Sequence, residues 1–151
     1  MINLGRLKIL IVEDDLMIAD MTEECLVDNG YIVCGIARTV AEAVAMGRLH
    51  RPDLALIDLR LADDELGTDI PAQLSMFGRL GVLYATGNMS VLLLNGAEGD
   101  ACLAKPYSTA DLLRSLQIVA DIVAKGAGTP PFPRGFHLLN SQEPSGGGLH
   151  D

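Results

Sequence analysis

The chain has 151 residues, 49% of them apolar, and a formal net charge of -9 at pH 7. This length and apolar fraction are typical of one packed domain and exclude a largely disordered chain. With 11 basic and 20 acidic residues and no basic stripe, the sequence does not favour binding to nucleic acid. The three widely spaced cysteines predict reduced thiols, and no apolar run approaches the length of a membrane span, so a soluble cytoplasmic protein is expected.

Strand and helix patterns alternate along the chain. Short apolar runs predict five buried strands, at residues 7–12, 31–37, 53–57, 80–85 and 101–104. The run Leu54-Ala55-Leu56-Ile57 is apolar on both faces, as a central parallel strand must be when helices cover both sides of the sheet. Helices are predicted at residues 14–29, at 39–50, from about 68, briefly within 88–96, and from 108 onward.

Two of the helix starts carry a capping pattern, since Thr39 is followed by Glu42 and Ser108 by Asp111. Five βα units with short loops and right-handed crossovers predict an α/β fold: a flavodoxin-like, doubly wound, five-stranded parallel sheet, (βα)5. We assign this domain to residues 1–125. Residues 126–151 are rich in Gly, Pro and Ser, and we expect them to form a disordered tail.

Polar residues follow the ends of four predicted strands. Because ligands bind at the carboxyl ends of the strands in such sheets, these residues should share one crevice. Mg²⁺ is commonly held by one or two carboxylates, waters and phosphate oxygens, so Asp14 and Asp58 are candidate ligands and Glu13 is a candidate outer acid. A carboxylate can also attack phosphorus, and a nearby ammonium offsets charge on the transferring oxygens. The sequence therefore indicates Asp58 as the nucleophile, with Thr86 and Lys105 beside it.

With this order of elements and these four separated sites, residues 7 to about 125 resemble the receiver domain of two-component response regulators. The resemblance implies that Glu13, Asp14, Asp58 and the backbone carbonyl of Arg60 bind Mg²⁺ or another divalent cation. It further implies that Asp58 accepts a phosphoryl group from a histidine kinase or a phosphotransfer protein.

The same resemblance gives Thr86 the role of the family's hydroxyl residue and Lys105 that of its lysine, with a cis bond to Pro106. The Ala85-Thr86-Gly87 turn and the short segment after it are similar to a subset of receivers with an Ala-Thr-Gly turn and an abbreviated fourth helix. In the family a switch aromatic usually lies inside the fifth strand. This chain offers only Tyr107, after that strand, so its role as a switch is left open.

The expected function is that of a single-domain response regulator that signals by protein contact or acts as a phosphate sink. Apart from slow self-dephosphorylation, no enzymatic turnover is expected. The short helix within residues 88–96, the fifth strand and the last helix form the expected surface for a downstream partner or a second copy. Arg60 could shield the acyl phosphate from water or pair with its oxygens.

Several alternatives stay open at this point. Asp14 or Asp15 could merely cap the first helix, and Asp58 could be an ordinary acid at a strand end. The run Asp63-Asp64-Glu65 fits a solvated loop better than a second metal site. A haloacid-dehalogenase-like phosphatase would also use a strand-end aspartate and Mg²⁺, but it needs a second aspartate where this chain has Arg60. A binding module that works without phosphorylation is the third alternative.

Overall fold

The computed structural model describes residues 7–87 and 98–139, which form a six-stranded sheet in the order β2-β1-β3-β4-β5-β6. The strands are β1 (Lys8–Val12), β2 (Ile32–Ala37), β3 (Leu54–Asp58), β4 (Gly81–Thr86), β5 (Ala101–Ala104) and β6 (Phe136–Leu138). The helices are α1 (Leu16–Asp28), α2 (Val40–His50), α3 (Pro71–Leu74) and α4 (Thr109–Lys125). None of the helices in these residues is both long and apolar enough to cross a membrane.

The first five strands are parallel, and their order confirms the predicted flavodoxin-like, doubly wound fold. Alternate residues of the central strands enter opposite cores, because successive side chains of a strand point to opposite faces. In β1, Ile9 and Ile11 enter the core beneath α1 and α4, whereas Leu10 and Val12 enter the core beneath α2 and α3. Both faces of the sheet are therefore covered, which explains the unbroken apolar runs.

The predicted helix starts are confirmed in atomic detail. The hydroxyl oxygen of Thr39 accepts the N–H of Glu42 at 3.1 Å, and that of Ser108 accepts the N–H of Asp111 at 3.0 Å. Asp15 caps α1 by accepting the N–H groups of the second and third residues of the helix. The capping alternative is therefore correct for Asp15, and the acids before it are not the cap of α1.

The third helical segment is more broken than the sequence predicts. Instead of one helix from about residue 68, a 3-10 turn at Gly67–Asp69 leads into the four-residue α3, and a second 3-10 turn at Ser75–Phe77 follows it. Gly78, with a φ of 112°, then ends the segment in a conformation that favours glycine. The short helix predicted within residues 88–96 lies outside the described residues, together with much of the partner surface built on it.

The prediction of a disordered tail is wrong for its first half. β6 pairs antiparallel with β5, and Phe136 and Leu139 are buried, one in each core. Arg114 on α4 donates to the carbonyl of Thr129 at 2.6 Å and to that of Pro131 at 3.2 Å. Two apolar anchors thus dock a segment whose Gly and Pro content predicted mobility. Residues 140–151 lie outside the described residues.

Candidate functional site

The strand register brings the predicted site residues to one edge of the sheet. Asp58 lies opposite Ala85, and Thr86 lies opposite Ala104. Because β1 flanks β3 on its other side, the acids that follow β1 reach the same edge. The residues gathered there are Glu13, Asp14, Asp58, Thr86 and Lys105.

Three carboxylates form a tight cluster at this edge. Glu13, Asp14 and Asp58 each offer an oxygen, and these three oxygens all lie within 4.8 Å of one another. This is the only group of three or more potential metal-binding acids, histidines or cysteines among residues 7–87 and 98–139. Glu13 is buried, and the two aspartates are partly exposed. Like charges this close favour either a bound cation or a proton.

Glu13 is held by two hydrogen bonds, and its pKa is shifted by its surroundings. Its Oε2 accepts the N–H of Asp15 at 3.1 Å, and its own N–H donates to the carbonyl of Ala37 at 2.9 Å. Burial raises the pKa of Glu13 from 4.5 to about 7, against the opposing effect of the Asp15 hydrogen bond and with a further contribution from the charge of Asp58. Burial therefore favours the protonated, neutral form of Glu13.

The ammonium group of Lys105 brings a positive charge next to the carboxylate cluster. Its Nζ lies 3.0 Å from the Oδ1 of Asp58 and 4.0 Å from the Oε1 of Glu13. Burial lowers the pKa of Lys105, but the hydrogen bond and the charge of Asp58 outweigh this effect and raise the pKa above its ordinary value. The Lys105–Pro106 peptide bond is cis, as the resemblance implies.

Thr86 is buried at the end of β4, and its carbonyl accepts the N–H of Lys105 at 2.9 Å. This hydrogen bond connects the end of β4 to the residue that follows β5. Since Asp58 lies opposite the residue before Thr86, the three residues occupy adjacent positions on neighbouring strands. A displacement of Thr86 toward Asp58 would therefore act on the backbone at Lys105.

The loop after β3 is a small hairpin, here called the acceptor hairpin (residues 59–67). Arg60 and Leu66 pair antiparallel across it, and the N–H of Gly67 donates to the carbonyl of Leu59 at 2.7 Å. The N–H of Leu61 donates to the carbonyl of the residue after Asp64 at 2.9 Å. Arg60 and Leu66 are thus a non-hydrogen-bonded pair, whose own carbonyls point away from the opposite arm. The Arg60 carbonyl is consequently not used in closing the hairpin.

Sequence reasoning missed two residues of the acceptor hairpin. A side chain at Gly67 would place its Cβ 2.4 Å from the carbonyl oxygen of Asp58, so the hairpin folds against the strand end only with glycine here. Glu65 accepts the N–H of Val40, the first residue of α2, at 2.9 Å. A glycine nine positions after Asp58 was a visible signal, whereas the Glu65 contact spans 25 positions and leaves none.

The acidic run in the hairpin begins with two solvent-exposed aspartates. Asp63 and Asp64 are exposed, and both have a φ of 61°, in the left-handed region where Asp is tolerated. Neither belongs to a metal-binding group among the described residues. The interpretation as a solvated loop is confirmed for these two residues.

A groove of about 530 Å³ runs beside the cluster, between α1 and the start of α4. Met21 and Ile18 line its α1 side, and Lys105, Pro106 and Tyr107 line the other. The Tyr107 ring is partly buried against the core beneath α1, and this burial raises the pKa of its hydroxyl. Tyr107 therefore faces α1, and its role as a switch stays open.

The donor set fits a hard divalent cation. Mg²⁺ takes oxygen ligands at about 2.0–2.1 Å, so its ligand oxygens lie about 3–4 Å apart, and three carboxylate oxygens within 4.8 Å of one another need only small movements to bind it. Asp58 belongs to this cluster and also contacts Lys105. The arrangement therefore combines a carboxylate, a group of acids that could hold a cation, and an ammonium group, and phosphoryl transfer to a carboxylate uses these three parts.

The comparison with known families points the same way. The model of the response regulator receiver domain matches residues 9–117, which include every residue of the cluster, Thr86 and Lys105. The match therefore spans most of the chain.

Two relatives come from different organisms. The chain is 37% identical over 108 residues to the phyllosphere-induced regulator PhyR of Methylorubrum extorquens. The aligned segment covers 70% of this chain and 40% of PhyR. It is 29% identical over 114 residues to the transcriptional regulatory protein PdtaR of Mycobacterium tuberculosis. That aligned segment covers 74% of this chain and 55% of PdtaR. The chain thus spans about half the length, or less, of these relatives.

Among solved structures, a CheY-like response regulator receiver domain protein from Methanospirillum hungatei is similar to this chain with a TM-score of 0.68 and 32% identity. The similarity covers 80% of this chain and 98% of that one.

Proposed function

The chain belongs to the receiver-domain family of response regulators, and from that premise we propose that Asp58 accepts a phosphoryl group from a histidine kinase or a phosphotransfer protein. One observation carries the proposal. Asp58 lies both within the carboxylate cluster and 3.0 Å from the ammonium group of Lys105. A carboxylate between a cation site and a lysine is suited to accepting a group that brings further negative charge.

In this reaction an oxygen of the Asp58 carboxylate forms a bond to phosphorus. The bond between phosphorus and the imidazole nitrogen of the donor histidine breaks, and its electron pair returns to that nitrogen, which takes up a proton from solvent or from the donor protein. The product is an acyl phosphate on Asp58. Lys105 offsets charge on the transferring oxygens, since its Nζ is already beside the attacking group.

Glu13, Asp14, Asp58 and the carbonyl of Arg60 would hold Mg²⁺ in this site. When bound, the cation would offset negative charge on the transferring phosphoryl oxygens. The chain's own contribution is to bring the carboxylates together before the donor arrives. Burial is the main cause of the raised pKa of Glu13, and the charges of Asp58 and Asp14 add to it.

Phosphorylation would then act on the strand ends beside Asp58. The phosphoryl group would add negative charge and strong acceptor oxygens, which Thr86 and Lys105 would engage. Because the carbonyl of Thr86 is bonded to the N–H of Lys105, movement of either residue acts on the ends of both β4 and β5. A partner protein would detect the altered face, or the domain would serve as a phosphate sink.

The surface that meets the donor protein is the exposed start of α1 together with the groove beside it. Four apolar residues in the first half of α1 are solvent-exposed, with Met17 at 74% and Met21 at 65%. Ile18 and Met21 line the groove together with Lys105, so a donor that presents its phosphohistidine to Asp58 would approach this surface. Flexible methionines are well suited to such adaptable contacts. The exposed residues are Leu16, Met17, Ile18 and Met21.

The competing functions receive less support. A haloacid-dehalogenase-like phosphatase requires an acid two residues after its nucleophile, and Arg60 occupies that position. A binding module that works without phosphorylation does not require a buried glutamate, two aspartates and a lysine close together at one strand end.

The proposal is tested by intact-mass measurement after incubation with phosphoramidate and Mg²⁺, because this donor carries the same phosphorus–nitrogen bond as phosphohistidine. The native protein should gain one phosphoryl group, Asp58→Asn should gain none, and Asp63→Asn should behave as the native protein. Asp63 is an exposed acid five positions away and serves as the matched control. Undiminished labelling of Asp58→Asn would refute the assignment.

A further inference from the structure

Glu65 lies in the acceptor hairpin, outside the carboxylate cluster, yet it makes a long-range contact. Its Oε1 accepts the N–H of Val40 at 2.9 Å. Val40 is the first residue of α2, and the cap Thr39 directs its own oxygen to Glu42 instead. A carboxylate at this position satisfies one of the unpaired N–H groups of the helix start and lies at the positive end of the helix dipole. The hairpin is thereby fixed to a helix that packs on the sheet.

The contact bears on the backbone that leads away from Asp58. The carbonyl of Glu65 accepts the N–H of Leu61 at 2.9 Å, so the same residue closes the hairpin through its backbone and anchors it through its side chain. Arg60 lies within this closed unit, opposite Leu66, with its carbonyl turned away from the opposite arm. The position of that carbonyl relative to Asp58 is therefore set by the hairpin as a whole.

We propose that Glu65 is a positioning residue of the cation site, which holds the acceptor hairpin against α2 so that the Arg60 carbonyl is presented beside Asp58. The inference rests on the proposed function, since it takes that carbonyl as a ligand of Mg²⁺. Glu65 itself does not touch the cation or the phosphoryl group. Residues that orient a ligand in this way commonly affect metal affinity by about tenfold or more.

Calorimetric titration of the full chain with Mg²⁺ tests the inference. Glu65→Ala removes the acceptor for the Val40 N–H, and Mg²⁺ affinity should fall about tenfold. Glu65→Gln keeps an oxygen that accepts the bond, and its affinity should stay within about twofold of the native value. Glu42→Ala is the matched control, because Glu42 is also a carboxylate at the start of α2 and accepts the N–H of Arg38 at 2.8 Å, but it lies outside the acceptor hairpin.

Hydrogen exchange separates positioning from a general loss of stability. The amides of Leu61 and Gly67 close the hairpin, so their exchange should accelerate in Glu65→Ala and stay unchanged in Glu42→Ala. Native Mg²⁺ affinity in Glu65→Ala would overturn the inference. So would an equal loss in Glu42→Ala, or a loss in Glu65→Gln as large as that in Glu65→Ala, since helix electrostatics would then explain the effect. If the native protein bound no Mg²⁺, the proposed cation site itself would fail.

Discussion

The Nζ of Lys105 lies 3.0 Å from the Oδ1 of Asp58, although 47 positions separate the two residues in the chain. β4 lies between the strands that carry them, so the contact depends on the sheet order rather than on local sequence. It places an ammonium group against the carboxylate that we propose as the phosphoryl acceptor. The first prediction concerns this ion pair.

Replacing Lys105 with Met should slow the phosphorylation of Asp58 by phosphoramidate about 100-fold, the usual effect of removing one charge-stabilising group from a reaction site. Asp58 also loses a charged hydrogen bond that offsets the repulsion among the acids, so the metal-free protein should lose about 1–3 kcal/mol of its free energy of unfolding at pH 8. Intact-mass time courses and urea unfolding measure the two effects. Lys125→Met changes an exposed lysine at the end of α4 and should alter neither. A native labelling rate in Lys105→Met would contradict the proposed role.

The second prediction follows from the pKa of Glu13, which burial raises from 4.5 to about 7. A carboxyl whose pKa is higher in the folded state favours folding when protonated, so its contribution is present below pH 4.5 and is lost as the pH rises through 7. The shift corresponds to roughly 3 kcal/mol. Glu13→Gln should therefore raise the metal-free melting temperature at pH 8 and raise it much less at pH 5.

The third prediction concerns Mg²⁺ binding, which should strengthen between pH 6 and pH 8 as Glu13 loses its proton, because the cation and the proton compete for the same carboxylate. Calorimetric titration at a series of pH values measures this. In Glu13→Gln the affinity should be weaker and should depend less on pH in this range. A Mg²⁺ affinity that is constant from pH 6 to pH 8 in the native protein would exclude Glu13 from the cation site.

The fourth prediction concerns the docked segment that follows α4. Phe136→Ala should lower the free energy of unfolding by about 3–5 kcal/mol, because the ring is 6% exposed and belongs to the core beneath α1 and α4. Phe132 is the matched control, since its ring contacts that of Phe136 at 5.2 Å between centroids but is 41% exposed. Phe132→Ala should cost about 1 kcal/mol. Equal unfolding free energies for native protein and Phe136→Ala would show that the segment does not contribute to the core in solution.

The fold and the composition of the site could be predicted because both depend on patterns within short stretches. The apolar run that ends at Asp58 predicts a central strand, and the parallel sheet then brings the residues after each strand to a common edge. The Thr39 cap was visible for the same reason. The docking of Phe136 could not be predicted, because a Gly- and Pro-rich composition indicates mobility. It does not show that two apolar side chains of the segment are buried in the cores. The contact between Glu65 and Val40 depends on the position of α2, which no local pattern specifies.

Chemical localisation of the phosphoryl group tests the central claim most directly. Borohydride reduces an acyl phosphate to the corresponding alcohol, so peptide mass spectrometry after phosphorylation and reduction identifies the acid that was modified. The account predicts reduction at Asp58 in the native protein labelled with Mg²⁺ present, and none in a sample kept free of the phosphoryl donor. Reduction at Glu13, at Asp14 or at an acid outside the cluster, in a sample whose intact mass shows one phosphoryl group, would contradict it.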